Sequence, residues 1–390
     1  MKGKLRLFSA NSTELDIYRA VFWIALFLVG FGLVMVFSAT YFVSVANSYK
    51  PYSAITHQVM WIVIGLFLMV LFSKISPSRL TKLAPVLLLA TIAALGAVLV
   101  PGVGQSVYGS SRWLGFGSLQ VQPSESAKLV LVLFASSLLS RRDSSLPFRQ
   151  RSLPVLVVAA LMSGLIVIEP DLGTSALVGV IAFAVLIGSG TRSKELYLIA
   201  GGGVLSAAAL AVAKPYRVQR ILAFLHPWTN RHTSSYQEVQ ALAAFATAHL
   251  TGVGVGVGQS SYNFVPNAQT DFIFAVIGQN LGLIGALFVL LVFVALVVLL
   301  FRASTLATNK MDAVFCYGVA FWVGAQVFLN VGAVEGLLPV TGVPLPLVSA
   351  GGSSTVILLV ALGLVRGSLA KAVRKNQSGS PRKTTAEVTQ

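Results

Sequence analysis

Ten long apolar runs alternate with shorter polar segments along this chain. A membrane-spanning helix needs about 20 mostly apolar residues. The runs lie near 17–45, 57–75, 83–100, 125–140, 153–169, 172–190, 195–213, 271–301, 312–334 and 352–369. The fourth run is short and carries Lys128, and the fifth and sixth runs nearly touch. The pattern predicts an all-α integral membrane protein with ten transmembrane helices.

The positions of lysine and arginine orient these predicted helices, because basic residues near helix ends favour the cytoplasmic side. With both termini inside, most basic residues between the runs fall in inner segments, and the alternation would fail if one helix were added or dropped. We therefore expect a cytoplasmic N-terminal segment over 1–16, a membrane domain over 17–372 and a disordered cytoplasmic tail over 373–390. The first run is too long for a cleavable signal peptide.

Composition agrees with this interpretation, since 56% of residues are hydrophobic and only 10% are charged. Soluble domains carry roughly 25% charged residues. The 28 basic and 12 acidic residues give a strong positive balance, but the bases are scattered between apolar runs. Nucleic-acid binding needs a clustered basic face with stacking aromatics, so we exclude it. The single cysteine, Cys316, lies within an apolar run and is expected to be a packing residue.

Three outer segments are longer or more irregular than simple turns. Residues 101–124 and 214–270 are long, and the second forms a large outer loop between predicted helices seven and eight. The segment 335–351 is apolar but contains three prolines within eight residues, which forbid a regular helix. Apolar, non-helical backbone is tolerated only against protein or a wet cavity. We therefore expect a re-entrant outer loop between helices nine and ten.

Three carboxylates stand at the predicted outer starts of helices: Glu125, Asp171 and Asp271. Each has a simple alternative role as a helix cap, where a carboxylate suits the positive end of the dipole. Four bases lie on or face the same side: Arg112, Lys128, Arg217 and Arg220. Acids beside arginines at a dry–wet boundary suit a phosphate-bearing lipid headgroup. The local sequence leaves capping and ligand binding both open.

Other motifs carry no chemistry. The glycine run GVGVGVG (252–258) does not follow a strand of a βαβ unit, which a dinucleotide site requires. The four histidines lack metal-ligand spacing. No Walker or nucleophile-elbow sequence occurs.

Five segments together resemble the SEDS family (shape, elongation, division and sporulation), which includes FtsW, RodA and SpoVE. They are QPSESAKL (122–129), EPDLGTS (169–175), YRVQRILAFLHPW (216–228), TDFIFAVIG (270–278) and GLLPVTGVPLPLVSAGGSS (336–354). The resemblance covers about residues 17–370 in matching order. Details such as LAFLHPW are closer to the division members than to the elongation members. It implies ten transmembrane helices and a peptidoglycan glycosyltransferase acting on lipid II at the outer surface of the bacterial cytoplasmic membrane.

The resemblance also implies roles for individual residues. Asp271 matches the family's catalytic aspartate, and Glu125 and Lys128 match its conserved glutamate and the lysine one turn later. The substrate-binding set expected here is Arg112, Glu125, Lys128, Asp171, Arg217 and Arg220. A divalent cation (Mg²⁺ or Mn²⁺) is expected near Glu125 and Asp271. The chain departs from the family pattern at Asn267, Gln269, Gln279, Asn280 and Ala350, which affects the expected metal affinity and the surroundings of helix eight.

The expected reaction is attack by an acceptor sugar hydroxyl on the anomeric carbon of a lipid-pyrophosphate donor, with Asp271 as general base. Two alternatives from other classes stay open, a lipid flippase or transporter and a non-catalytic scaffold; an elongation-type (RodA-type) polymerase is a third. Transporters place polar sites near the midplane, often in repeated halves, and the sequence has no convincing repeat. The resemblance implies a class B penicillin-binding transpeptidase and other divisome membrane proteins as partners.

Overall fold

The computed structural model describes residues 10–46, 53–107, 110–116, 119–143, 146–229, 235–256 and 268–379. Each of the ten predicted runs coincides with a helix. In chain order the helices are α1 (Ala10–Ala46), α2 (Ser53–Phe72), α3 (Ala84–Val98), α4 (Pro123–Ser140), α5 (Phe148–Arg151), α6 (Leu153–Ile168), α7 (Leu172–Gly188), α8 (Ser193–Val212), α9 (Pro215–Leu225), α10 (Tyr236–Ala246), α11 (Ile273–Leu306), α12 (Lys310–Val334) and α13 (Gly352–Gly379). A 3₁₀ turn covers Pro77–Leu80.

Six of the described helices are long and apolar enough to cross a membrane: α1, α2, α8, α11, α12 and α13. Three more, α3, α6 and α7, are apolar but shorter. Helix α4 is less apolar because it carries Glu125, Lys128 and several serines. The prediction of a helical membrane protein is therefore confirmed at this level, and the crossing of all ten helices stays a prediction.

The centre of the bundle is formed by α4, α7 and α12, which pack against one another. Helix α13 packs against α1 and α2, and α11 lies beside α12 and α1. Trp322 of α12 is among the largest fully buried side chains. Helix α8 differs from the others, since none of its residues is buried. The polar end of α4 is thus placed inside protein, where its charges need partners.

The expectation of an all-α chain is wrong for the segment 101–124. This segment contains an antiparallel sheet of β1 (Gln105–Val107), β2 (Ser110–Phe116) and β3 (Leu119–Val121), in the order β1-β2-β3. Trp113 pairs with Gln105, and Leu114 pairs with Val121. The strands have only three, seven and three residues, so their apolar periodicity is too weak to be recognised from sequence.

The segment 214–270 is not a simple loop, because it contains helices α9 and α10. The segment 335–351, in contrast, has no helix, as the prolines predicted. Val343, Leu345, Leu347 and Val348 are all buried in it. The prediction of non-helical backbone packed against protein is confirmed; whether this segment re-enters a membrane stays a prediction.

Helix α11 is interrupted at Gly282, which has φ +70°. The loop 249–254 fills the break. Its N–H groups donate to the carbonyls of 279–280 at 3.0 Å, and its carbonyls accept from the N–H groups of 283–284 at 3.2 Å. The freed backbone groups are therefore satisfied inside the protein, as a broken helix in an apolar environment requires. Residues 252–254 at the start of the glycine run belong to this loop.

The predicted tail boundary is partly wrong. Residues 373–379 continue helix α13, and the Asn376 amide donates to Glu14 Oε1 of α1 at 3.0 Å. This contact gives the last helical turns a tertiary partner, which a polar sequence does not predict. Residues 380–390 lie outside the described part of the chain. At the other end, α1 begins at Ala10, before the predicted start of the first run.

Candidate functional site

A cavity of about 470 Å³ opens where several segment ends meet. Its wall comes from β2, the starts of α4, α7 and α13, one face of α9, the turn before α11 and the 341–351 part of the proline-rich segment. Five of the seven predicted site residues line it: Arg112, Glu125, Asp171, Arg220 and Asp271. These residues are separated by up to 159 positions in the chain, so the tertiary structure assembles the cluster.

Asp271 lies in the turn that precedes α11 and is half-buried. Helix α11 begins at Ile273 with Phe272 as its N-cap, so Asp271 precedes both the N-cap and the first turn, where the capping alternative placed it. Its backbone is fixed instead: the carbonyl accepts from Asn330 Nδ2 at 2.8 Å. The neighbouring Thr270 carbonyl accepts from Ser349 Oγ at 2.6 Å, and the Gln269 carbonyl accepts from the Ala350 N–H.

The free space at the Asp271 carboxylate depends on Gly342. This glycine has φ +72°, and a Cβ atom built on it would lie 3.7 Å from Oδ2 of Asp271. A longer side chain in that direction would fill the cavity beside the carboxylate. The proline-rich segment thus supplies a bare backbone wall where a ligand can approach.

Burial raises the pKa of Asp271 to about 6, and the negative charge of Asp171 acts in the same direction. Arg112 and Arg220 act in the opposite direction and favour the carboxylate. An acid whose pKa lies near neutrality exchanges protons readily at physiological pH, which a general base requires. The cavity therefore holds a carboxylate poised for proton transfer beside two cations.

Arg112 on β2 holds the turn between α6 and α7. Its Nε donates to the Glu169 carbonyl at 2.9 Å, and its Nη2 donates to the Pro170 carbonyl at 2.7 Å. Its Nη1 lies 3.9 Å from Asp171 Oδ2. Asp171 also caps α7, because Oδ1 accepts from the Thr174 N–H at 3.0 Å. For this residue capping and a place in the cavity wall are both correct.

Lys128 does not reach the cavity. It is fully buried on α4, with Nζ 2.8 Å and 2.9 Å from the two carboxylate oxygens of Glu125. Nζ also donates to Gln326 Oε1 at 3.3 Å and lies 5.3 Å from the Trp322 ring centre. The structure therefore places Lys128 behind Glu125 rather than against a ligand.

The two arginines of α9 also differ. Arg220 lines the cavity. Arg217 is buried and donates to the Leu210 carbonyl of α8 and to the Tyr216 hydroxyl, at 2.8 Å and 3.0 Å. Arg217 therefore joins α9 to α8, and Arg220 is the cation that α9 presents to the site.

The described residues fit a bound divalent cation poorly. They contain no group of three or more His, Cys, Asp or Glu side chains placed to share a metal ion. Both Glu125 oxygens lie within hydrogen-bond distance of Lys128 Nζ, and this positive charge opposes a metal cation at the same carboxylate. A Mg²⁺ or Mn²⁺ site normally uses open carboxylate oxygens. The arrangement does not support Glu125 and Asp271 as joint ligands.

Sequence reasoning missed the supporting residues Gln326 and Asn330 on α12. The Gln326 Nε2 donates to the Pro344 carbonyl at 2.9 Å, and Asn330 Nδ2 reaches the Val343 carbonyl as well as that of Asp271. Both amides are buried. Two polar residues four apart in a predicted spanning helix were the available signal, since intramembrane polar residues usually serve a site.

Comparisons with known proteins agree with this architecture. The family model described as a cell cycle protein of the FtsW, RodA and SpoVE group matches residues 19–374. The chain is 38% identical over 348 residues to a probable peptidoglycan glycosyltransferase FtsW from Nitrosococcus halophilus, covering 87% of this chain and 89% of that protein. A protein of the same name from Francisella salina is 34% identical over 359 residues, with 90% and 89% covered.

Solved structures show the same fold. A chain from a study of the structural coordination of polymerization and crosslinking by a peptidoglycan synthase complex matches with a TM-score of 0.72 and 29% identity. The match covers 90% of this chain and 98% of that one. The rod shape determining protein RodA of Thermus thermophilus matches with a TM-score of 0.66 and 27% identity, over 90% and 96% of the two chains.

Proposed function

The chain belongs to the SEDS family of FtsW, RodA and SpoVE proteins, and we propose that it is a peptidoglycan glycosyltransferase that polymerises lipid II for septal synthesis. The observation that carries the proposal is Asp271, a carboxylate with a raised pKa that shares one cavity with Arg112 and Arg220. The family relatives named FtsW support the division role.

In the proposed reaction Asp271 takes the proton of the acceptor 4-hydroxyl. The hydroxyl oxygen forms a bond to the anomeric carbon of the donor, and the bond from that carbon to the pyrophosphate oxygen breaks. A positioned base contributes about 10²–10⁴-fold to such a step. The proton ends on Asp271, and the polyprenyl pyrophosphate leaves with the bonding electron pair.

Arg112 and Arg220 would neutralise the departing pyrophosphate, because guanidinium groups bind phosphate oxygens with paired hydrogen bonds. A stabilised pyrophosphate needs no second carboxylic acid to protonate it, unlike the leaving group of a glycoside hydrolase. Glu125 lines the same cavity but is paired with Lys128. We assign this pair to positioning the start of α4.

The membrane arrangement is also part of the proposal. The chain would lie in the bacterial cytoplasmic membrane with both termini inside and the cavity at the outer face. The basic residues between the apolar runs support this orientation. A class B penicillin-binding transpeptidase is the proposed partner, among other divisome membrane proteins, and the similarity to a chain of a peptidoglycan synthase complex supports it.

One observation bears on the flippase alternative: α11 is broken at Gly282, and transporters use broken helices near the membrane midplane. In this chain the break is filled by the loop 249–254, and neither the break nor that loop lines the cavity. The acids of the cavity lie at or just before the starts of helices instead. This arrangement favours transfer chemistry at a surface over passage through the bundle.

The test is polymerisation of lipid II by purified full-length protein, compared with Asp271→Asn and Asp271→Ala. We expect both variants to lose at least about 10²-fold in rate. Asp16→Asn, at an exposed position on α1, is the matched control and should keep the wild-type rate. Lipid movement without glycan formation would identify a flippase, and folded wild-type protein with neither activity would identify a scaffold. Unchanged glycan synthesis by Asp271→Asn would refute the base assignment.

A further inference from the structure

Glu169 is a buried acid that the proposed reaction does not use. Helix α6 ends at Ile168, and Glu169 follows as its C-cap. Only 1% of the residue is exposed, and neither carboxylate oxygen has a hydrogen-bond partner among the described residues. Buried polar groups are usually paired, and an unpaired buried charge is far more costly than a neutral group. The burial of the unpartnered Glu169 carboxyl group therefore requires an explanation.

The surroundings of Glu169 favour its neutral form. Burial raises its pKa to about 8, and the charge of Asp171 adds to this effect. The negative end of the α6 dipole also opposes an ionised carboxylate at this position. Arg112 on β2 acts in the other direction. Burial without a partner and the raised pKa both favour the uncharged carboxylic acid, in the residue that precedes Pro170 and Asp171 of the cavity wall.

Arg112 connects this acid to the site. Its Nε and Nη2 donate to the backbone carbonyls of Glu169 and Pro170, and its Nη1 faces Asp171 at 3.9 Å. Within the described part of the chain, Arg112 makes no hydrogen bond to the Glu169 carboxyl group. A second carboxylate behind the guanidinium would compete for those donors and would cancel part of the positive charge that the cavity presents.

We propose that Glu169 is a positioning residue whose uncharged side chain leaves the Arg112 guanidinium directed at the 169–171 turn and available to the donor pyrophosphate. This inference rests on the proposed glycosyltransferase function. Ionisation of Glu169 draws the guanidinium away from the cavity and weakens donor binding. The protein therefore carries an alkaline limit to activity that is separate from the general base.

The experiment measures lipid II polymerisation by the full chain from neutral to alkaline pH, for wild type, Glu169→Gln and Glu335→Gln. Glutamine copies the shape of the neutral acid and cannot ionise. Glu335 is the control, because it is also the C-cap of a helix, its pKa is also raised and it does not line the cavity. Unlike Glu169 it is exposed. If Glu169→Gln does not fold, Glu169→Met is measured in its place. Methionine has a similar length and has no polar group that needs a hydrogen-bond partner.

We expect the wild type and Glu335→Gln to lose activity as pH rises through about 8, mainly through a higher KM for lipid II. Glu169→Gln should stay within a few-fold of wild type at pH 7, with its alkaline limb moved up by about one pH unit or more. An unmoved limb would overturn the inference, as would a folded Glu169→Gln or Glu169→Met that is inactive at every pH. Wild-type protein without polymerisation would instead refute the proposed function.

Discussion

Asn330 holds Asp271 by its backbone: the Asn330 side-chain amide lies 2.8 Å from the Asp271 carbonyl oxygen and 2.8 Å from that of Val343. One buried amide on α12 thus joins the turn before α11 to the proline-rich segment. The carboxylate itself accepts nothing from Asn330. The contact therefore sets where the base stands without altering its charge directly.

Replacing Asn330 by leucine removes both hydrogen bonds of the amide while keeping a buried side chain of similar size. We expect kcat for lipid II polymerisation to fall by about 10²-fold, because displacement of a reacting group by an ångström has an effect of that order. Asn376→Leu, at the far end of α13, should keep the wild-type rate. Equal rates for the two variants would show that the hydrogen bond does not position Asp271.

Activity should rise with pH through about 6, the raised pKa of Asp271. A general base works only when deprotonated, so the rate falls about tenfold for each pH unit below that value. Arg220 favours the carboxylate. Arg220→Gln should therefore move the acidic limb of kcat/KM to higher pH, whereas Lys214→Gln, at an exposed position, should leave it in place. A shift to lower pH would contradict this electrostatic arrangement.

The buried pair of Lys128 and Glu125 should matter for stability. Lys128→Met leaves an uncompensated carboxylate inside the protein, and we expect the free energy of unfolding to fall by about 3–5 kcal/mol. The double variant Glu125→Gln/Lys128→Met should recover much of this loss, because no unpaired charge remains. Thermal unfolding in detergent measures both, with Lys74→Met as an exposed control. A double variant less stable than Lys128→Met would argue against charge burial as the cause.

The break in α11 depends on Gly282. Alanine there would adopt a left-handed conformation and its Cβ would overlap the Leu250 carbonyl oxygen, so we expect a loss of at least about 1–2 kcal/mol. Gly202 of α8 offers the contrast, since a Cβ there meets no atom within 4 Å. Gly202→Ala should be neutral or stabilising by up to about 1 kcal/mol. Unfolding midpoints of the two variants give the comparison; a Gly282→Ala protein as stable as wild type would mean that the break is not needed.

Ten helices, and the acids at the starts of three of them, could be predicted from the sequence alone. Run length and hydrophobicity are local properties, and an apolar run of about 20 residues must form a helix to satisfy its backbone in lipid. The prolines of 335–351 likewise excluded a helix without any tertiary information. The family motifs located Asp271 because each is contiguous in the chain.

Tertiary packing sets which cations reach the cavity. Arg217 and Arg220 are three positions apart on α9, yet one binds the backbone of α8 and the other lines the site. Lys128 looked equally available and is enclosed by Glu125 and Trp322. Hydropathy and propensity do not encode which side of a helix meets a neighbour.

The same holds for the supports of the site. Asn330 is 59 positions from Asp271 in the chain, and the Glu169 carbonyl accepts from Arg112 of β2, 57 positions away. The strands themselves are too short for a periodic signal. Burial and hydrogen bonding of this kind depend on contacts between distant segments, so the chemical environment of each acid, unlike its presence, came from the folded protein.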